Sequence, residues 1–175
     1  MNNWTKFGIP IIVALRLILP LFLWWNALIA TILVLLADLA DGEVFRRAFA
    51  FQNNAKYQQI DKALDFYWYI FALIYSVRFP IFNILLFLFL WRTLGAILLF
   101  VKKDRKYLVL CPNIFERLFV VYLLTLTFPS LVFFFEAHTL YATLFIVSVI
   151  TVIREYFLHI REIQLYEFRT GKRWA

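Results

Sequence analysis

One cysteine, two histidines and four glycines are all that this 175-residue chain holds of three residue types that often build sites and turns. The single Cys111 excludes an intrachain disulfide and says nothing of redox compartment. It reads as a small apolar filler, the common fate of a free cysteine. No internal repeat, linker or low-complexity stretch divides the chain, which is expected to form one unit over residues 1–175. The first apolar segment lacks a small-x-small cleavage site, carries Arg16 in its middle and is followed by comparable segments, so it is not read as a secretory signal. Aspartate is scarce too, with five in all.

What is abundant is apolar. Hydrophobic residues make up 64% of the chain and aromatic residues 21%, well above the usage of an ordinary soluble domain. Apolar runs of about 17–25 residues are candidate membrane spans, and six occur, at 7–25, 27–42, 57–77, 80–101, 113–135 and 138–158. The second is short in its apolar part, so its helix is expected to continue past the membrane with Arg46 and Arg47. Trp24, Trp25, Trp68, Trp91 and Trp174 are expected as belt residues at the interfaces. The net charge of +7 is assigned to topology and to anionic lipid rather than to nucleic acid, since no soluble surface is left to display a groove-binding patch. With six spans, one side collects Lys6, Arg46, Arg47, Lys56, Lys62, the Lys102–Lys106 cluster and the basic tail, and the other has Arg78 alone. The positive-inside rule then places both termini in the cytoplasm. The expected fold is an all-α, six-span integral membrane protein with its active site at the cytoplasmic face.

Four of the five aspartates fall within 28 residues, as Asp38-x-x-Asp41-Gly42 and Asp61-x-x-x-Asp65. Spacings of three and four residues put each pair on one helix face. The first pair ends one apolar run and the second begins the next. If the two helices are antiparallel neighbours, four carboxylates converge at one point near the membrane surface, where they need cations. Pairing with Arg46, Arg47 and Lys62 at a solvated helix end is the plain structural alternative. An all-oxygen donor set suits Mg2+, Mn2+ or Ca2+, and zinc is disfavoured because His138, His159 and Cys111 lie away from the cluster. Two metals bridged by carboxylates steady both oxygens of a phosphoryl displacement. Gly42 lets a phosphate approach the backbone, and Lys62 offsets negative charge.

These residues resemble the signature of the CDP-alcohol phosphatidyltransferases, D-x-x-D-G-x-x-A-R-x8-G-x-x-x-D-x-x-x-D, at Asp38, Asp41, Gly42, Arg46, Asp61 and Asp65. In layout the chain is similar to the phosphatidylglycerophosphate synthase-like members. Arg16 after Pro10 is a weaker echo of the family's first-span pattern. The departures are Phe45 in place of alanine, Tyr57 in place of glycine, and 20 positions from Asp41 to Asp61, two more than the pattern. The resemblance implies a phospholipid-biosynthetic transferase that moves a phosphatidyl group from a CDP-linked lipid to a small polar alcohol and releases CMP. It implies two Mg2+ or Mn2+ ions held by Asp38, Asp41, Asp61 and Asp65. Asp65 would be the general base, and Asp38, Gly42 and Arg46 would meet the nucleotide. It also implies a multi-pass protein of a bacterial or archaeal cytoplasmic membrane and allows a homodimer.

Arg92, Arg117 and Arg154 lie in the later apolar runs. Charge at such depth tends to face a bundle interior, and by the resemblance these arginines bind an acceptor phosphate, with glycerol 3-phosphate the leading acceptor. Alternatively, Arg117 and Arg154 snorkel or pair with Glu116 and Glu155. Three rival readings stand beside the enzyme. One is a transferase with a different nucleotide-linked donor, suggested by Phe45 and Tyr57. Another is a catalytically silent paralogue acting as a membrane scaffold. Cation transport is the third, and it is disfavoured because the acids gather at one face.

Overall fold

The computed structural model describes residues 7–49, 55–102 and 106–159, with the side chains at 43, 46–49, 55–59, 106, 158 and 159 outside that description. The described residues are helical, with no strand among them. The chain falls into two compact units, Met1–Val77 and Arg78–Ala175.

The first unit is built from α1 (Ile9–Ile18), a 3-10 segment (Leu19–Trp24), α2 (Ala27–Phe49) and α3 (Ala55–Ser76). Pro10 sits in the first turn of α1, where its missing N–H costs nothing. Pro20 cannot donate to the carbonyl of Arg16, and there the α-helix tightens into the 3-10 segment. Asn26 then caps α2, its Oδ1 accepting from the Ile29 backbone N–H at 3.0 Å. Both α2 and α3 pack on α1 and on the 3-10 segment. As expected from the sequence, α2 runs on past its apolar part and includes positions 46 and 47.

Each of these helices buries a stripe at three- and four-residue spacing, and each stripe carries a charge. On α1 the buried positions are Ile12 and Arg16; on α2 they include Ala30, Val34, Ala37, Asp41 and Phe45; on α3, Leu64, Asp65, Trp68 and Ala72. Trp68 therefore departs from the belt expected of it. At 3% exposure it is core, because the helical period that turns Leu64 and Ala72 inward turns it inward as well.

The second unit comprises α4 (Phe82–Lys102), α5 (Lys106–Leu110), α6 (Ile114–Thr127), a 3-10 segment (Pro129–Phe135) and α7 (Leu140–His159). Asn113 caps α6 and its amide donates back to Glu116 at 2.6 Å, a reciprocal arrangement like a capping box. The helix stops at extended Phe128, the conformation that the following Pro129 imposes. The core holds Leu85, Leu108, Phe115, Leu118, Phe119 and Leu123, with Phe115 and Phe119 stacked at 6.3 Å between centroids. Gly95 lets α4 approach the α5 end closely, since a Cβ there would lie 2.4 Å from the Cβ of Cys111. Cys111 is the buried filler expected of it, and burial pushes its thiol above the ordinary range, so it stays protonated.

Two described helices, Phe82–Lys102 and Leu140–Phe157, are long and apolar enough to cross a membrane. Their outward faces leave large apolar side chains exposed, among them Phe87, Leu90 and Ile97 on α4 and Phe145, Val149 and Ile153 on α7. The expected runs at 7–25 and 113–135 each appear as an α-helix followed by a proline-initiated 3-10 segment.

Candidate functional site

Asp38, Asp41, Asp61 and Asp65 converge within the first unit, around the guanidinium of Arg16. Nη1 of Arg16 contacts Asp41 and reaches Asp61 at 3.0 Å, while Nη2 reaches Asp38 at 2.8 Å and Asp65 at 2.5 Å. Each nitrogen thus takes one carboxylate from α2 and one from α3. The Lys62 ammonium adds contacts of 2.8 Å to Asp61 and 2.7 Å to Asp65. These six side chains carry four negative and two positive formal charges.

The position of each group follows from its helix. Asp41 and Asp65 lie on the buried stripes of α2 and α3, and Arg16 on that of α1. Asp38 and Asp61 sit one turn away, beside the stripes, and are partly open, with the Asp38 side chain 36% exposed. Access to the cluster is therefore from the Asp38 side. Oxygens of Asp38, Asp61 and Asp65 all lie within 4.8 Å of one another. A hard cation bound at about 2.0–2.3 Å spans up to roughly 4.6 Å between opposite ligands, so small side-chain adjustments let these three fit one divalent ion. The donor chemistry, all carboxylate, is right for it.

Gly42 lies exposed on α2 directly after Asp41. The side chains of Arg46 and Tyr57, like that of His159, fall outside the described residues. Phe45 has a core role: it is 4% exposed and packs with Ile12 and Ala37, against partly buried Ile9 and Val13. An aromatic ring at this position is thus explained by the packing of α1 on α2.

The three later arginines belong to the second unit. Arg92, 5% exposed, donates from Nη1 to the backbone carbonyls of Leu108 at 3.2 Å and Cys111 at 3.0 Å, with Glu155 at 3.7 Å. It closes the C-terminal end of α5. Arg117 lies 3.6 Å from Glu116 and Arg154 3.8 Å from Glu155, the pairings expected of them in the structural reading. Both are partly exposed, at 32% and 42%. His138 is exposed and lies 3.4 Å from Glu136.

Arg16 is the site residue that the sequence reading undervalued. A charge in the middle of an apolar run has to find a polar interior, and the aspartate pairs are the largest concentration of opposite charge on the chain. That signal was available. What fold and site define is an all-helical protein with a carboxylate-rich centre formed by its first three helices. No family model, no curated protein and no solved structure matches the chain.

Proposed function

We propose that the chain is a divergent, six-span transferase of the CDP-alcohol phosphatidyltransferase kind, with both termini and the aspartate centre at the cytoplasmic face of a bacterial or archaeal membrane. The observation that carries this reading is the convergence of two aspartate pairs, from α2 and α3, on one point. The exposed apolar faces of α4 and α7 support membrane residence.

Asp38, Asp61 and Asp65, with Asp41, are the residues that would hold two Mg2+ or Mn2+ ions. When bound, such ions neutralise a diphosphate and stabilise the leaving phosphate. Asp65 takes the proton of the acceptor hydroxyl, whose oxygen attacks the lipid-bearing phosphorus of the CDP-linked donor. The bond from that phosphorus to the CMP oxygen breaks and CMP departs. Lys62, 2.7 Å from Asp65, orients this carboxylate before the transfer. Gly42 and Arg46, with Asp38, are assigned to the nucleotide. A phosphorylated polyol, glycerol 3-phosphate first, is the acceptor.

The scaffold reading is favoured by one observation, that Arg16 and Lys62 already hold the carboxylates together. CMP release separates the two. Purified protein given CDP-diacylglycerol, glycerol 3-phosphate and Mn2+ is expected to release CMP and to form the lipid product. Absence of CMP release with every polyol phosphate and with uncharged alcohols would leave the scaffold.

A further inference from the structure

Arg16 stands where a cation between α2 and α3 has to stand. Its two terminal nitrogens each bridge one carboxylate of α2 to one of α3, which is the connectivity that a bridging metal ion has in a carboxylate site. Three of the four carboxylates it touches, Asp38, Asp61 and Asp65, are those whose oxygens are close enough to share an ion. The guanidinium is 3% exposed and arrives from α1, so it is part of the folded core and no chance surface contact. Arginine cannot release its charge to leave the site by deprotonation. It can leave only by moving.

We propose that Arg16 is a tethered counter-cation of the aspartate centre, which assembles the four carboxylates when no ion is bound and competes with a divalent ion for the same oxygens. This rests on the metal reading given above. Two consequences follow from the one geometry. Without metal, Arg16 removes like-charge repulsion between the ends of α2 and α3 and thereby positions Asp65 relative to Asp38. With metal, the guanidinium must swing off at least some of its carboxylates, so the observed affinity for the ion is the intrinsic affinity reduced by the fraction of molecules in which Arg16 is displaced. The site is then closed at low divalent-ion concentration and opened by the ion. Asp38, the most exposed of the four, is the carboxylate from which the exchange starts.

The test uses the full chain in detergent and Mn2+ alone as probe, with binding followed by the loss of the free-ion EPR signal and by the melting temperature. Arg16→Gln removes the charge and the second nitrogen while keeping a polar side chain. It is expected to melt below the unsubstituted protein in chelator, and to bind Mn2+ at least about tenfold more tightly, the factor for a competent state populated about one time in ten. Mn2+ should also raise its melting temperature by more than it raises that of the unsubstituted protein. Arg16→Lys keeps the charge without the fork, and its Mn2+ affinity should fall between the two. Should Arg16→Gln fail to fold, the lysine variant is read by the same criterion. Mn2+ binding to the unsubstituted protein with no gain in the variants would overturn the competition and leave the metal site standing. Absence of Mn2+ binding from all three proteins would remove both.

Discussion

The two units bury charge in opposite ways. In the first, among the described side chains, four aspartates crowd around one arginine and one lysine, and the acids outnumber the bases. In the second, buried Glu116 and Glu155 meet Arg92, Arg117 and Arg154, and Arg92 also binds the carbonyls that end α5. Buried charge matched by its own neighbours holds helices in register. Buried charge of one sign in excess stores repulsion that a ligand can relieve. On the proposed function the same residue types serve structure in one half and chemistry in the other, and equivalent substitutions should produce opposite readouts.

The largest effect is expected at Asp65. Asp65→Asn removes the proposed base and should lower CMP release by about 10²–10⁴-fold. It also removes one of four crowded negative charges, so the melting temperature in chelator should hold or rise. A fall in both would assign Asp65 a structural role and erase the contrast between the units.

Arg92→Ala is the counterpart. It leaves Glu155 buried without its Arg92 contact and two carbonyls without their donor. Breaking a buried pair costs roughly 3–5 kcal/mol, which for a chain of this size lowers the melting temperature by on the order of 10 °C. A stable variant with only a raised acceptor KM would instead make Arg92 a binding residue.

Gly95→Ala tests packing of the second unit without touching charge. The new Cβ meets that of Cys111 at 2.4 Å, and overpacking of this kind costs about 1–3 kcal/mol. Thermal unfolding should show the loss, and Cys111→Gly in the same chain should recover part of it. The smallest effect is expected from Asn26→Ala, which removes the cap of α2 at a cost of about 1 kcal/mol. CMP release should survive this substitution, because the cap lies at the far end of α2 from Asp38 and Asp41.

The aspartate centre was legible because helical spacing alone turns each pair to one face, and the chain has only one other aspartate to confuse the pattern. The continuation of α2 past Asp41 was legible in the shortness of its apolar run. Less so was the way the centre is assembled. The aspartate spacing carries no sign of α1 and the 3-10 segment, on which both α2 and α3 pack, and Arg16 comes from α1. Local period reports which residues share a face, but the choice of packing partner depends on contacts far apart in sequence. Phe45 illustrates the same limit. Against a family pattern it reads as an obstruction of a small-residue position, whereas in the fold it fills the contact of α2 with Ile12 of α1. Trp68 reads as amphipathic by composition and is drawn into the core by the register of Leu64 and Ala72.

The central claim is that the aspartate centre is a divalent-metal site, and anomalous scattering from crystals soaked in Mn2+ tests it most directly. The account predicts a peak within about 2.0–2.3 Å of carboxylate oxygens from Asp38, Asp61 and Asp65, with the Arg16 guanidinium drawn away from at least one of them. Crystals in which Arg16 keeps all four aspartates and no peak lies within that distance of any of them would contradict it.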